Sequence, residues 1–155
     1  MSNNFTTLDK IVSQDTEQLT SLKQGAYETE KLGLIPYTAI DHPQYKKAKK
    51  ACVKMIPNGT GGMDPDVDDD KLMVQVIIDA VDKDERSDFT FASKQLIEKL
   101  NEDAKKKGKS EIISADQVVS TVLSPGEIVN FAIEIQGLSG FSQKAKKEQE
   151  EEVKN

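Results

Sequence analysis

The chain has no tryptophan, one cysteine (Cys52) and one histidine (His42) among its 155 residues, and aromatics make up only 5% of it. A single cysteine excludes an internal disulfide framework and a multi-thiolate zinc site. A single histidine removes most routes to general acid–base chemistry, and its place ten residues before Cys52 sets up no nucleophile–base pair. No catalytic, metal-ligating or cofactor-binding set stands out, so an enzyme is not expected. No apolar run approaches the roughly 20 residues that cross a bilayer. Met1-Ser2-Asn3-Asn4 carries neither the basic nor the apolar part of an export signal, so the expected compartment is the cytoplasm. Basic excess is missing as well: a formal net charge of −6 argues against nucleic acid and anionic membranes as partners.

What is present suits one modest domain. The chain is 36% hydrophobic and 31% charged, enough apolar surface for a core at this length but hardly for two. The reading is a mainly α fold: a single small helical domain of about five helices over residues 33–141, with an extended or β segment near residues 34–40. It is preceded by a partly ordered arm, 1–32, and followed by a charged tail, 142–155, with flexible termini.

In the arm, Leu8, Ile11 and Val12 mark one short helix and Leu19 and Leu22 another, while Gly25 weakens any continuation. A segment this polar is either a flexible end or one that folds on a partner. Gly33 to Ile40 is β-leaning, and Pro36 confines it to an edge strand or a connector. A helix is expected to begin near Pro43 and to line Tyr45, Ala48, Cys52 and Met55 along one side, ending at Ile56-Pro57. Lys46, Lys47, Lys49, Lys50 and Lys54 take the other side, as a solvated face or a site for phosphate or an acidic partner. Asn58-Gly59-Thr60-Gly61-Gly62 reads as a loop. It lacks the Gly-Lys-Ser/Thr of a phosphate-binding loop.

The acids Asp64, Asp66, Asp68, Asp69 and Asp70 alternate partly as in a calcium loop, but Asp69 stands where the sharp turn needs glycine and Gln75 where the bidentate glutamate belongs. Carboxylates opening a helix explain them more simply, because they oppose the positive end of its dipole. Leu72 to Val81 is apolar at nearly every position and should be the buried central helix, its β-branched content leaving a strand open. Phe89 and Phe91 anchor the connector after it. The next helix should run from about Phe91 to Lys106, with Phe91, Leu96, Ile97 and Leu100 inward and Gly108 as the stop. Ser114 opens another, carrying Val118, Val119, Val122 and Leu123.

The best-punctuated stretch is Leu123-Ser124-Pro125-Gly126-Glu127, followed by an apolar run through Ile135 and closed by Gly137-Leu138-Ser139-Gly140-Phe141. Ser124 suits the N-cap, Pro125 the first helical position, and Glu127 the reciprocal position of a capping box. Ile128, Phe131, Ala132 and Ile135 make one stripe to bury, Gly137 supplies the expected stop, and Leu138 and Phe141 fold back beneath.

In order, the short apolar segment, the Lys-rich helix, the apolar central helix, the Leu- and Lys-rich helix and this closing stretch resemble the small tail assembly chaperones of Gram-positive phages and PBSX-type defective prophages. The resemblance covers residues 34–141 and is sharpest at Leu123 to Glu127 and Gly137 to Phe141. It implies a non-enzymatic chaperone that needs no cofactor, binds the tape measure protein, keeps it soluble and recruits tail tube protein, with self-association left open. Such a protein works in the host cytoplasm and is not expected in the mature virion. The competing class is a structural or adaptor protein retained in the tail or baseplate. Phe131, Leu138 and Phe141 are the candidate partner-facing residues under this resemblance, with core packing the alternative for Phe131. The resemblance also implies a more strand-forming start than residues 1–32 show, and a longer frameshifted product whose slippery site could encode Ala145-Lys146-Lys147.

Overall fold

The structure, a computed structural model, describes residues 5–141; the charged tail, with Ala145 to Lys147, lies outside them. The mainly α expectation is corrected. Among the described residues the fold is mixed α/β, with seven helices and two antiparallel two-stranded sheets. The elements run α1 (Leu8–Val12), α2 (Thr16–Thr20), β1 (Gln24–Thr29), β2 (Gly33–Thr38), α3 (His42–Ala51), β3 (Val53–Pro57), β4 (Met63–Val67), α4 (Asp69–Lys83), α5 (Lys94–Lys106), α6 (Ala115–Val122) and α7 (Pro125–Leu138).

The centre is α4. Leu72, Val76, Ile77, Ile78, Ala80 and Val81 are all buried, so this helix is apolar around most of its circumference and other elements pack on several of its sides. It is a helix because Asp68 caps it, accepting the Lys71 N–H at 3.2 Å, and because Asp69 and Asp70 face its positive end. Helices α3, α6 and α7 and strand β2 pack against it.

The first sheet pairs β1 with β2 in the register Gly25↔Tyr37, Tyr27↔Ile35 and Thr29↔Gly33. Strand β1 lies where the sequence suggested only a weak continuation after Gly25. Its period is two, not 3.6: Tyr27 and Thr29 turn inward with Ile35 and Tyr37, while Gln24, Ala26 and Glu28 face out. Gly25 is required there by a close approach, since a Cβ on it would lie 2.7 Å from the Tyr37 hydroxyl oxygen and 2.8 Å from its ring carbon. β2 is the extended segment expected near residues 34–40, and Pro36 is tolerated because a two-stranded sheet has only edges.

The second correction concerns residues 52–67. Helix α3 begins at the Asp41 cap with Pro43 in its first turn, but it ends at Ala51. Val53 to Pro57 is a strand, and Met55 belongs to a hairpin, not to a helical stripe. The loop is organised by the Asn58 side chain, whose Oδ1 accepts from the Thr60 N–H, the Thr60 hydroxyl and the Gly62 N–H, with Gly59 and Gly61 at positive φ. Asp64 and Asp66 therefore stand on β4, outside the helix they were expected to introduce.

Helix α5 starts at Lys94, three residues after the buried Phe91, which meets Phe89 edge-on. Leu96, Ile97 and Leu100 pack against the core. Asn101 fixes the link that follows by exchanging two hydrogen bonds of 2.6 Å with the Ile112 backbone. Among the described residues no single helix is long and apolar enough to cross a membrane.

Candidate functional site

The ends of α7 carry the residues singled out from sequence. At its start, Ser124 accepts the Glu127 N–H at 3.2 Å and Glu127 Oε1 accepts the Ser124 N–H at 3.0 Å, the expected capping box. The second carboxylate oxygen accepts the Glu30 N–H at 3.0 Å, tying the helix to the β1–β2 turn. These backbone donors, that of Ser124 first, hold the Glu127 carboxyl below its ordinary range.

Along the helix, Phe131, Ala132 and Ile135 are buried. Phe131 is fully enclosed, stacked on Tyr27 at 4.6 Å and tilted against Tyr37 at 5.4 Å, so the structure places it in the core and not on the surface. The Tyr37 hydroxyl donates to Glu134 at 2.8 Å, and burial is the first cause that pushes its pKa well up. Val129 and Ile133, four residues apart, are both exposed on the outer side of α7.

At the far end, the helix continues past Gly137 to Leu138, and Gly140, at φ 101°, makes the stop that Gly137 was expected to supply. Ser139 turns the chain: its hydroxyl donates to the Ile135 carbonyl at 2.6 Å and accepts the Ile40 N–H at 3.0 Å. Leu138 is half-buried, and Phe141 remains 42% exposed with its ring edge-on to Tyr45 at 5.2 Å. Phe141, Tyr45, Ile40 and Ser139 line a shallow cleft of about 260 Å³. Lys49 stands 5.6 Å above the Tyr45 ring, and Asp41 at the rim is bridged to Lys83 at 3.3 Å. Of the three predicted residues, Phe141 lines this cleft, Leu138 lines a separate one with Lys23, Tyr37 and Glu134, and Phe131 lies in the core.

A buried carboxylate ties the end of α4 to the first sheet. Asp84 accepts the Thr38 hydroxyl at 2.9 Å and pairs with Arg86 at 2.8 Å, and Arg86 also donates to the Gly25 and Tyr37 carbonyls. The Arg86 side-chain hydrogen bonds hold the Asp84 carboxyl below its usual range.

Sequence reasoning missed a second surface, the β3–β4 hairpin. Val53, Met55 and Pro57 lie opposite Val67, Pro65 and Met63 on one face, and Val53, Met55 and Met63 are each about half exposed at 48%, 54% and 53%. The available signal was alternation of period two from Met63 to Val67, which Ile56 interrupts on the other side of Asn58-Gly59. His42 opens α3 and lines the Phe141–Tyr45 cleft, and Cys52 is the buried C-cap of α3, with burial raising its thiol pKa. Among the described residues no group of three or more His, Cys, Asp or Glu could hold a metal ion.

The arrangement can present apolar side chains to a partner. A family model described as phage XkdN-like tail assembly chaperone protein matches residues 8–154. No curated protein and no solved structure matches the chain.

Proposed function

The chain belongs to the phage XkdN-like tail assembly chaperone family, and on that premise we propose that it binds the tape measure protein, keeps it soluble and brings tail tube subunits to it. The family membership carries this reading, and the exposed apolar groups of the fold support it. A tape measure protein offers long amphipathic helices, and these bind by laying an apolar face into an apolar groove. The Phe141–Tyr45 cleft is such a groove in miniature, walled by Ile40 and rimmed by Asp41. Its modest size favours reversible capture, which a chaperone needs if its client is to be released.

The role requires no catalytic group and no cofactor. It places the protein in the host cytoplasm during assembly and leaves it out of the finished particle. Tagged chain co-expressed with the tape measure protein should co-purify with it, and mass spectrometry of purified particles should find the tape measure protein without the chaperone. Failure to co-purify, or stoichiometric retention in the particle, would overturn the proposal; retention would point to a structural tail protein.

A further inference from the structure

The Phe141–Tyr45 cleft opens beside a strip of positive charge. Residues three and four apart stand on one side of a helix, so Lys46, Lys49 and Lys50 of α3 line up next to Tyr45, with Lys49 over the Tyr45 ring at 5.6 Å. All three lysines are exposed, and among the described residues none of them is paired with a carboxylate. Lys47 turns the other way, into a separate cleft with Gln75 and Asp79. No acid stands between His42 and Ala51, and the carboxylate that lines the Phe141–Tyr45 cleft, Asp41, already has Lys83 at 3.3 Å.

The two halves of this surface ask for different chemistry. The rings of Tyr45 and Phe141, with Ile40, accept an apolar side chain, while unpaired lysines attract carboxylates and turn away a basic partner. The net charge of −6 on the whole chain disfavours a polyanion such as nucleic acid. An amphipathic helix supplies both parts at once, an apolar anchor with acids a turn or two along. The spacing fits, since Tyr45 to Lys50 covers about 7.5 Å of axis at the α-helical rise. A helix lying along α3 with its anchor in the cleft therefore brings its next one or two turns over the lysines.

We propose that the cleft and the lysine strip form one docking surface for an acidic amphipathic helix, whose apolar anchor enters between Tyr45 and Phe141 and whose Asp or Glu side chains, a turn or two further on, meet Lys46, Lys49 and Lys50. This rests on the reading of the chain as a chaperone that binds a helical client, and it names the chemistry of the client segment that is held. Exposed ion pairs are individually weak and screened by salt, so the strip selects among clients and leaves the contact reversible.

The chain has no tryptophan, so the emission of a single tryptophan in a peptide reports its binding to the full chain. Two synthetic amphipathic helices serve as probes, identical in their apolar face and tryptophan anchor, one with glutamates and the other with lysines in the two turns after it. The glutamate peptide should bind about tenfold more tightly than the lysine peptide, and the difference should shrink as salt is added. The triple variant Lys46→Gln, Lys49→Gln, Lys50→Gln should lose the preference, with circular dichroism verifying its fold, and Phe141→Ala should weaken both peptides alike. Equal binding of the two peptides, binding of neither, or a preference that survives high salt or the triple variant would each overturn the proposal. So would binding that appears only after Glu148, Glu150, Glu151 and Glu152 are changed to Gln, which would give the strip to the chain's own tail. The peptides stand in for the tape measure protein, so the two readings fail separately. A chain that prefers the glutamate peptide but does not capture the tape measure protein loses the proposed function alone, and one that captures it but ignores the glutamates loses this surface alone.

Discussion

Glu127 accepts the backbone N–H of Glu30 at 3.0 Å across 97 residues of sequence. The same carboxylate completes the capping box at Ser124, so one side chain both starts α7 and holds the β1–β2 turn against it. Glu127→Ala should therefore loosen two places together. Amide hydrogen exchange should speed at Glu30 and at Ser124, while amides in the middle of α4 keep their protection. Faster exchange at Ser124 alone would show that the link to the turn carries no weight.

Gly25 is fixed by the Tyr37 ring above it. Gly25→Ala puts a methyl group where the ring now sits, and Tyr37 is buried and hydrogen-bonded to Glu134, so it cannot swing away freely. Overpacking of this kind costs about 1–3 kcal/mol. A urea unfolding midpoint equal to that of wild type would contradict the packing described for β1.

Phe131 and Phe141 should separate core from surface. Phe131→Ala removes a fully buried ring and should cost about 3–5 kcal/mol. Phe141→Ala, at a position 42% exposed, should cost under about 1 kcal/mol yet weaken capture of the tape measure protein. Equal losses of stability would mean that Phe141 is a core residue.

The Asp84–Arg86 pair gives a pH dependence of known sign. Asp84 has its folded pKa lowered, chiefly by Arg86, so its contribution is fully present above the ordinary aspartate value of about 3.9 and fades as pH falls through the lower folded value. In Arg86→Ala the buried carboxylate keeps only Thr38 as a side-chain partner, and its pKa should rise. The variant's deficit should then be largest near neutral pH and shrink on acidification, as Asp84 takes up a proton. Unfolding midpoints measured across that range check this; a deficit independent of pH would contradict it.

Much of the helical frame is legible in the sequence because its signals are local. Ser124, Pro125 and Glu127 act at their own helix end, and the apolar density from Leu72 to Val81 leaves a buried helix as the natural outcome. The strands are harder. Gly25 looks like a helix breaker until Tyr37 is known to lie over it, a contact that exists only after pairing. Met55 follows Tyr45, Ala48 and Cys52 at helical spacing, yet the hairpin closed by Asn58 takes it into a sheet. At the candidate surface, the periodicity that puts Phe131 on the buried stripe was readable, and the edge contact of Phe141 with Tyr45 was not, since it joins residues far apart in sequence.

The proposed solubilising role is measured most directly by the soluble fraction of the tape measure protein expressed with and without this chain. The tape measure protein should aggregate alone, stay soluble with the wild-type chain, and be rescued less well by Phe141→Ala. An unchanged soluble fraction in the presence of folded wild-type chain would contradict it.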